Sequence, residues 1–193
     1  MILATPEIDP GSFTLASMMS SATLSIAAAS LADVAVLSEI GRETYSDHFS
    51  AIWTPGNLSR FLERDFSESA LRTTLAAPDR HSWWIATESP DRVAGFAKVN
   101  WNAIEPVTGM RGAELQKIYF RRGITGKGHG ARLVNVIIEE AVARGSGLIW
   151  LDVLKTNAGA QRLYARLGFR ICGEQPFAAD TGEIGMFIMR RDI

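Results

Sequence analysis

Residues 121–132 read Arg121-Arg122-Gly123-Ile124-Thr125-Gly126-Lys127-Gly128-His129-Gly130-Ala131-Arg132, with four cationic side chains and no acid. Glycine reaches positive φ without steric penalty and leaves no Cβ between main chain and ligand. Successive N–H groups can then turn inward at an anion, helped by the positive end of a helix that begins there. The chemistry this suits is pyrophosphate binding; by residue type alone, a flexible tight turn into a helix accounts for it equally. Two common phosphate motifs are absent. A Walker A loop needs Gly, four residues, then Gly-Lys-Ser/Thr, whereas here Gly128 follows Lys127 and the preceding glycine is too close. A dinucleotide fingerprint needs Gly-x-Gly-x-x-Gly, and from Gly126 or Gly128 the third glycine is misplaced.

Other reactive residue types are not organised into sites. His48, His81 and His129 have no metal-ligand spacing and no supporting Cys/Asp cluster, so no metal is expected. His129 is expected to project from the glycine turn into solvent. No serine sits in a Gly-x-Ser-x-Gly elbow. Cys172 is the single cysteine; it lies in an apolar strand-like run and reads as a small core residue. No intrachain disulfide can form, which favours a reducing compartment.

The elements that would position the turn follow from periodicity. Residues 23–28 alternate as a first strand. Ser30 and Asp33 make a capping-box-like start, after which Leu31, Val34, Leu37 and Ile40 recur at helical spacing. Thr54-Pro55 opens a second helix with Leu58, Phe61, Leu62 and Phe66 on one face, and 69–75 forms a short third. Strands at 81–87 and 93–101 flank the turn residues Ser89-Pro90-Asp91-Arg92 and suggest a hairpin. In Trp83-Trp84, alternation puts one ring in the core. A strand at 113–120 precedes the glycine turn, and the following helix buries Val134, Ile137, Ile138 and Ala141 until Gly145 and Gly147 stop it. A strand at 148–154, a helix at 157–167 and strands at 169–173 and 184–190 complete an α/β layered domain on a mixed sheet.

Composition agrees with one globular domain: 193 residues, 47% hydrophobic and 21% charged. A net charge of −1 supplies no field for nucleic acid or an anionic membrane. No stretch approaches the roughly 20 apolar residues of a membrane span. Residues 1–41 lack Lys and Arg, so neither a secretory n-region nor a transit peptide is present. Residues 1–22 read as a flexible extension, with Met18-Met19 as a conceivable start, ahead of a domain at 23–193. A cytoplasmic protein, monomeric or homodimeric, is expected.

A second segment, Asn157-Ala158-Gly159-Ala160-Gln161-Arg162-Leu163-Tyr164-Ala165-Arg166-Leu167-Gly168-Phe169, resembles the Asn-x-x-Ala-x-x-x-Tyr-x-x-x-Gly-Phe signature of GNAT N-acetyltransferases. The glycine turn resembles the Arg/Gln-x-x-Gly-x-Gly/Ala motif of the same superfamily at Thr125, Gly128 and Gly130. Both occur in the family's order, and the likeness extends over 23–193. Glu114-Leu115-Gln116-Lys117-Ile118-Tyr119-Phe120 and Arg42-Glu43-Thr44-Tyr45 look most like the bacterial spermidine/spermine acetyltransferase branch.

The resemblance implies a mostly antiparallel sheet flanked by helices, and acetyl-CoA as cosubstrate. Ile118, Tyr119 and Phe120 would pair with the pantetheine arm as with an added strand. The amides of Thr125, Gly126, Lys127, Gly128, His129 and Gly130 would hold the pyrophosphate, Asn157 the pantetheine chain, and Tyr164 the thioester sulfur. Thr125 departs from the usual Arg or Gln; Arg121, Arg122 or Lys127 would have to replace that contact. By spacing alone, Tyr164 is equally a core aromatic beside Ala160, Leu163 and Leu167.

Attack by an amine on a thioester needs a proton acceptor, because a Lys-like amine with pKa about 10.4 is charged at neutral pH. Glu114 and Asp152, on the strands flanking the expected thioester, are the candidates, with Glu114 preferred. The acceptor is expected to be a small primary amine, including polyamines, for which the helical stripe of Glu39, Glu43 and Asp47 would be an attracting surface. Acetylation of a protein N-terminus or lysine is the alternative, and a non-catalytic acyl-CoA-binding regulator is the alternative of another class.

Overall fold

In the computed structural model, which describes residues 24–89, 92–124 and 127–193, Ser30 opens the helical layer as its capping box predicts. Its amide and hydroxyl donate to Asp33 Oδ2 at 2.7 and 2.9 Å, and a single 3-10 turn leads into helix α1, Val34–Phe49. Helix α2, Pro55–Phe66, and α3, Glu68–Leu75, start on Thr54 and Ser67, whose hydroxyls accept from the amides of Asn57 and Ala70. Gly41 lets α1 approach the end of α2: a Cβ there would lie 2.2 Å from the Phe66 ring. The extension at 1–22, the residues Pro90 and Asp91 of the hairpin turn, and Thr125 and Gly126 lie outside the described residues.

The main sheet runs in the order β1-β2-β3-β4-β5-β9-β6. Its strands are β1 Ser25–Ala28, β2 His81–Ser89, β3 Arg92–Ile104, β4 Arg111–Phe120, β5 Leu148–Leu154, β6 Arg170–Gln175 and β9 Met186–Asp192. All neighbours are antiparallel except β4 and β5, which are joined through helix α4, His129–Ala143, and so run parallel. Helix α5, Ala158–Arg166, connects β5 to β6. The expected strands and helices are all present, each within a few residues. A two-stranded ribbon, β7 Ala178–Ala179 and β8 Gly182–Glu183, is additional. Its Asp180 accepts from the amide and hydroxyl of Thr54 and so caps α2 from the far end of the chain.

Helices cover both faces, giving two cores. Leu133, Val134 and Ile137 of α4 pack with Ala113, Leu115, Ile118, Leu151 and Val153 on one face. Leu37, Ile40, Tyr45 and Phe49 of α1 pack with Phe66, Trp83, Phe96 and Tyr119 on the other. Trp83 and Trp84 are both buried, one in each core, because period-two strands send neighbours to opposite faces and here both faces are covered. Among the described residues no helix is long and apolar enough to cross a membrane.

Candidate active site

Past Glu114 the central strands separate. β4 and β5 pair only at Ala113–Ile149 and Glu114–Trp150. On its outer side β4 keeps its ladder with β3 as far as Phe120, opposite Gly95, and β5 keeps its ladder with β9 to Leu154, opposite Met186. Among the described residues no strand lies between the inner edges of 115–120 and 151–154, an arrangement that can accept an extended chain by β-addition. Ile118, Tyr119 and Phe120 stand on this edge. Their side chains serve elsewhere: Ile118 in the α4 core, Tyr119 in the α1 core, and Phe120 stacked 6.4 Å from the His129 ring.

The glycine turn leads from this edge into α4. Gly128 is the helix N-cap with φ 77°, no side chain among the described residues caps the helix, and a Cβ at Gly128 would meet nothing within 4 Å. The first main-chain bond of the helix runs from the Arg132 amide to the Gly128 carbonyl at 3.1 Å, so the amides of His129, Gly130 and Ala131 precede it. Each cation of the turn that could replace a side chain at Thr125 already has an acid: Arg121 with Glu43 at 2.8 Å, Arg122 with Asp47 at 4.0 Å, Lys127 with Glu88 at 3.1 Å. Glu88 is buried at the end of β2, and the hydrogen bond from Lys127 holds its carboxyl below the usual range against the opposing effect of burial. His129 corrects the expectation of a solvent-facing ring. It is 7% exposed, its Nε2 lies 3.2 Å from Glu88, and the buried acid draws it inward. Glu43 and Asp47 face these same arginines, with Glu39 3.6 Å from Arg121, so the acidic stripe is matched by cations and is not an open anionic surface.

Asn157 and Tyr164 come from α5. Asn157 is the N-cap, its Oδ1 accepting from the Ala160 amide at 3.0 Å. Tyr164 is fully buried, edge-on to Phe169, yet among the described residues its hydroxyl has no hydrogen-bond partner. A buried hydroxyl left unpaired costs about 1–3 kcal/mol, so this atom stands out from a core aromatic. Burial first, then the charge of Asp152, pushes its pKa well above the ordinary phenol value. The same hydroxyl is within electrostatic reach of Tyr119 on β4 and of Asp152 on β5. Asp152 accepts from Gln175 Nε2 at 3.1 Å.

Glu114 sits at the parting point and is held by a chain of side chains. Asn100 Nδ2 donates to Glu114 at 2.7 Å, and Asn100 Oδ1 lies 2.7 Å from His81 Nδ1. An amide oxygen only accepts, so His81 carries its proton on Nδ1. The chain fixes the carboxylate's orientation and points one way, from His81 to Glu114.

Beside it on the same face, a cavity of about 290 Å³ opens between the β3–β4 surface and helices α2 and α3, lined by Arg64, Asp65, Thr74, Trp83, Lys98 and Lys117 among others. Lys117 Nζ donates to Asp65 at 2.6 Å, both largely buried. Burial raises the Asp65 pKa, but Lys117 and Arg64 more than offset this and lower it. Lys98 is 9% exposed, and among the described residues its ammonium has no hydrogen bond or ion pair. Its ammonium lies over the Trp83 ring, 5.4 Å from the centroid, with Asp65, Lys117 and Glu114 acting on it through space. Burying an ammonium costs several kcal/mol, whereas a ring contact returns about 0.5–2 kcal/mol. Burial and then neighbouring Lys117 accordingly bring its pKa down to about 8.

Sequence reasoning missed His81, Asn100, Lys98, Lys117 and Asp65. The signal for two of them was available: Lys98 and Asn100 are the only polar side chains in residues 93–100 and share one face of β3. Among the described residues no group of three His, Cys, Asp or Glu could hold a metal.

The fold is thus a mixed, mostly antiparallel sheet flanked by helices, whose single parallel pair separates past Glu114 and whose glycine turn opens α4. The acetyltransferase (GNAT) family profile matches residues 41–169, and the chain belongs to that family of acetyltransferase enzymes. An uncharacterized N-acetyltransferase of Lactobacillus delbrueckii subsp. lactis is 26% identical over 153 residues, 79% of this chain and 87% of that protein. The L-methionine sulfoximine/L-methionine sulfone acetyltransferase of Pseudomonas aeruginosa is 33% identical over 63% of this chain and 77% of its own. The PaiA N-acetyltransferase of Thermoplasma acidophilum, solved in complex with coenzyme A, superposes with a TM-score of 0.69 over 89% of this chain and 99% of its own, at 19% identity.

Proposed function

We propose that the protein transfers the acetyl group of acetyl-CoA directly to the primary amine of a small molecule. The observation that carries this is the buried Tyr164 hydroxyl, without a hydrogen-bond partner among the described residues and within electrostatic reach of Asp152 on β5 and Tyr119 on β4. The open strand edges at 115–120 and the uncapped amides after Gly128 fit the amide-rich arm and the pyrophosphate of coenzyme A, with Ile118, Phe120 and the turn residues as its contacts. Relatives named for methionine sulfoximine and for streptothricin support a small-molecule acceptor.

In this reading Glu114, oriented by Asn100, takes a proton from the bound ammonium, which frees the lone pair that forms the new C–N bond; the nitrogen sheds a second proton to solvent as the amide forms. The C–S bond breaks, and Tyr164, held protonated by burial and by Asp152, donates a hydrogen bond to the charge growing on sulfur. Full proton transfer even from an ordinary phenol near 10 to a thiolate near 8.5 is uphill by about 2 kcal/mol, and burial makes Tyr164 a still weaker acid, so solvent completes the thiol. Holding amine and thioester together supplies the larger part, about 7–11 kcal/mol. Asp152 then serves the tyrosine and not the amine. The polyamine acceptor implied by the spermidine/spermine likeness has the Glu39–Glu43–Asp47 stripe in its favour, but Arg121 and Arg122 already neutralise much of it.

Thiol release from acetyl-CoA with a panel of amines tests the activity, and Tyr164→Phe tests its centre. The variant should cut turnover at saturation by about tenfold or more while raising the stability of the free protein by about 1 kcal/mol, because it removes an unpaired buried hydroxyl. A variant that is less stable and turns over normally would make Tyr164 a packing residue.

The turn is tested separately. In Gly128→Glu the added Cβ meets nothing, so the cost to the fold is the left-handed backbone, about 1–2 kcal/mol. The carboxylate would stand where the pyrophosphate charge belongs, and thermal stabilisation by acetyl-CoA should vanish. Gly128→Ala, with the strain and without the charge, should keep most of it; equal loss in both would assign the effect to backbone strain.

A further inference from the structure

Lys98 is the one buried cation on the acceptor side whose charge the described residues leave unmatched. Lys117 is satisfied by Asp65, and Arg64, itself exposed, also leans on Asp65 at 2.6 Å. The cavity wall therefore presents three cations, Arg64, Lys98 and Lys117, against one acid. Lys98 is placed for the reaction. It lies two residues before Asn100 on β3, and Asn100 stands opposite Glu114 and bonds it. Residues i and i+2 of a strand share a face about 6–7 Å apart. An anion on Lys98 is thus within one short molecule of the Glu114 carboxylate.

We propose that this cavity is a carboxylate subsite anchored by Lys98, and that the acceptor is a compact amine bearing its own carboxylate, of which a free amino acid is the simplest form. The inference rests on the acetyltransferase reading above and names its substrate class. Charge decides against a polyamine, which would add cations to a wall that already has a surplus. Size decides against a protein segment: about 290 Å³ is room for about ten waters, enough for a molecule of amino-acid size. Connectivity decides against a peptide N-terminus, whose first residue has an amide where the subsite requires a carboxylate. The Trp83 ring beside Lys98 would cover the apolar part of such a ligand.

The test compares a set of L-amino acids with their primary carboxamides in thiol release from acetyl-CoA, using the full chain, wild type and two variants. A hydrogen bond to a charged group corresponds to roughly 10- to 150-fold. In wild type kcat/KM should favour the free acid over its amide by that order, mainly through KM. Lys98→Met should collapse the acid-to-amide ratio at least tenfold, and Lys98→Arg should restore part of it. A wild-type ratio near one, or a ratio unmoved in Lys98→Met, overturns the carboxylate subsite. Turnover of spermidine or of a peptide amine in preference to every amino acid also overturns it while leaving the acetyltransferase reading standing. Acetyl-CoA that neither binds calorimetrically nor releases thiol with any amine overturns both.

Discussion

Replacing Glu114 with Gln should lower kcat/KM by about 10²–10⁴, the usual worth of a positioned general base. The substitution keeps size and can keep the contact with Asn100, so the fold and the affinity for acetyl-CoA should barely change. What it removes is the proton acceptor. The remaining reaction must draw on amine that is already neutral, and its rate should rise about tenfold per pH unit below the amine's own pKa. Wild type should show no such steep dependence over the same range. Asp152→Asn supplies the contrast, because Asp152 faces the two tyrosines and Gln175. If Asp152→Asn shows the deeper loss and the steep pH slope while Glu114→Gln does not, the base is on β5.

Lys98→Met should stabilise the free protein at neutral pH by roughly 1–3 kcal/mol, a rise of several degrees in Tm for a chain of this length. A lysine whose pKa falls from 10.5 unfolded to about 8 folded is a charge the native state holds at a disadvantage. The sign is that of a depressed base. Below pH 8 both states are charged and the penalty is complete; between about 8 and 10.5 the folded state sheds its proton first and wild-type stability climbs; above that range the penalty is gone. The gain from Lys98→Met should therefore be largest below pH 8 and fade by about pH 10.5. Chemical denaturation of both proteins across pH 6–10.5 gives the comparison, and a gain that is flat with pH, or a loss at neutral pH, would contradict the unmatched charge. Lys117, Asp65 and Glu114 surround the group and remain in both proteins.

The glycine turn and the start of α5 were legible because their signal is local. Gly128 needs positive φ, and Asn157 caps the helix that begins one residue later; each requirement falls within a few residues of chain and leaves a spacing pattern. The side-chain cluster around Glu114 and Lys98 was not legible, because its partners meet across the fold. Asp65 and Lys117 are 52 residues apart, and His81 reaches Glu114 only through Asn100 on the intervening strand. A lysine within a strand ordinarily reads as the solvent side of an alternation; at Lys98 that side is roofed by α2 and α3, a fact of helix placement. His129 misled for a related reason: nothing near it in sequence reveals that Glu88, 41 residues earlier, lies buried beneath it. The acidic stripe of α1 was visible as a pattern, but its counter-charges Arg121 and Arg122 belong to the glycine turn about 80 residues downstream.

The gap between β4 and β5 bears on how such a protein avoids self-association. Unpaired strand edges recruit other chains, and most proteins keep theirs short, charged or covered at the rim of a sheet. Here two unfinished edges lie in the middle of a seven-stranded sheet, with α4 above and α1 below. A neighbouring molecule cannot bring a whole strand, flanked by its own sheet, into that position; a slender, single extended chain can. The separated edges of β4 and β5 thus lie where a neighbouring molecule's sheet cannot reach them.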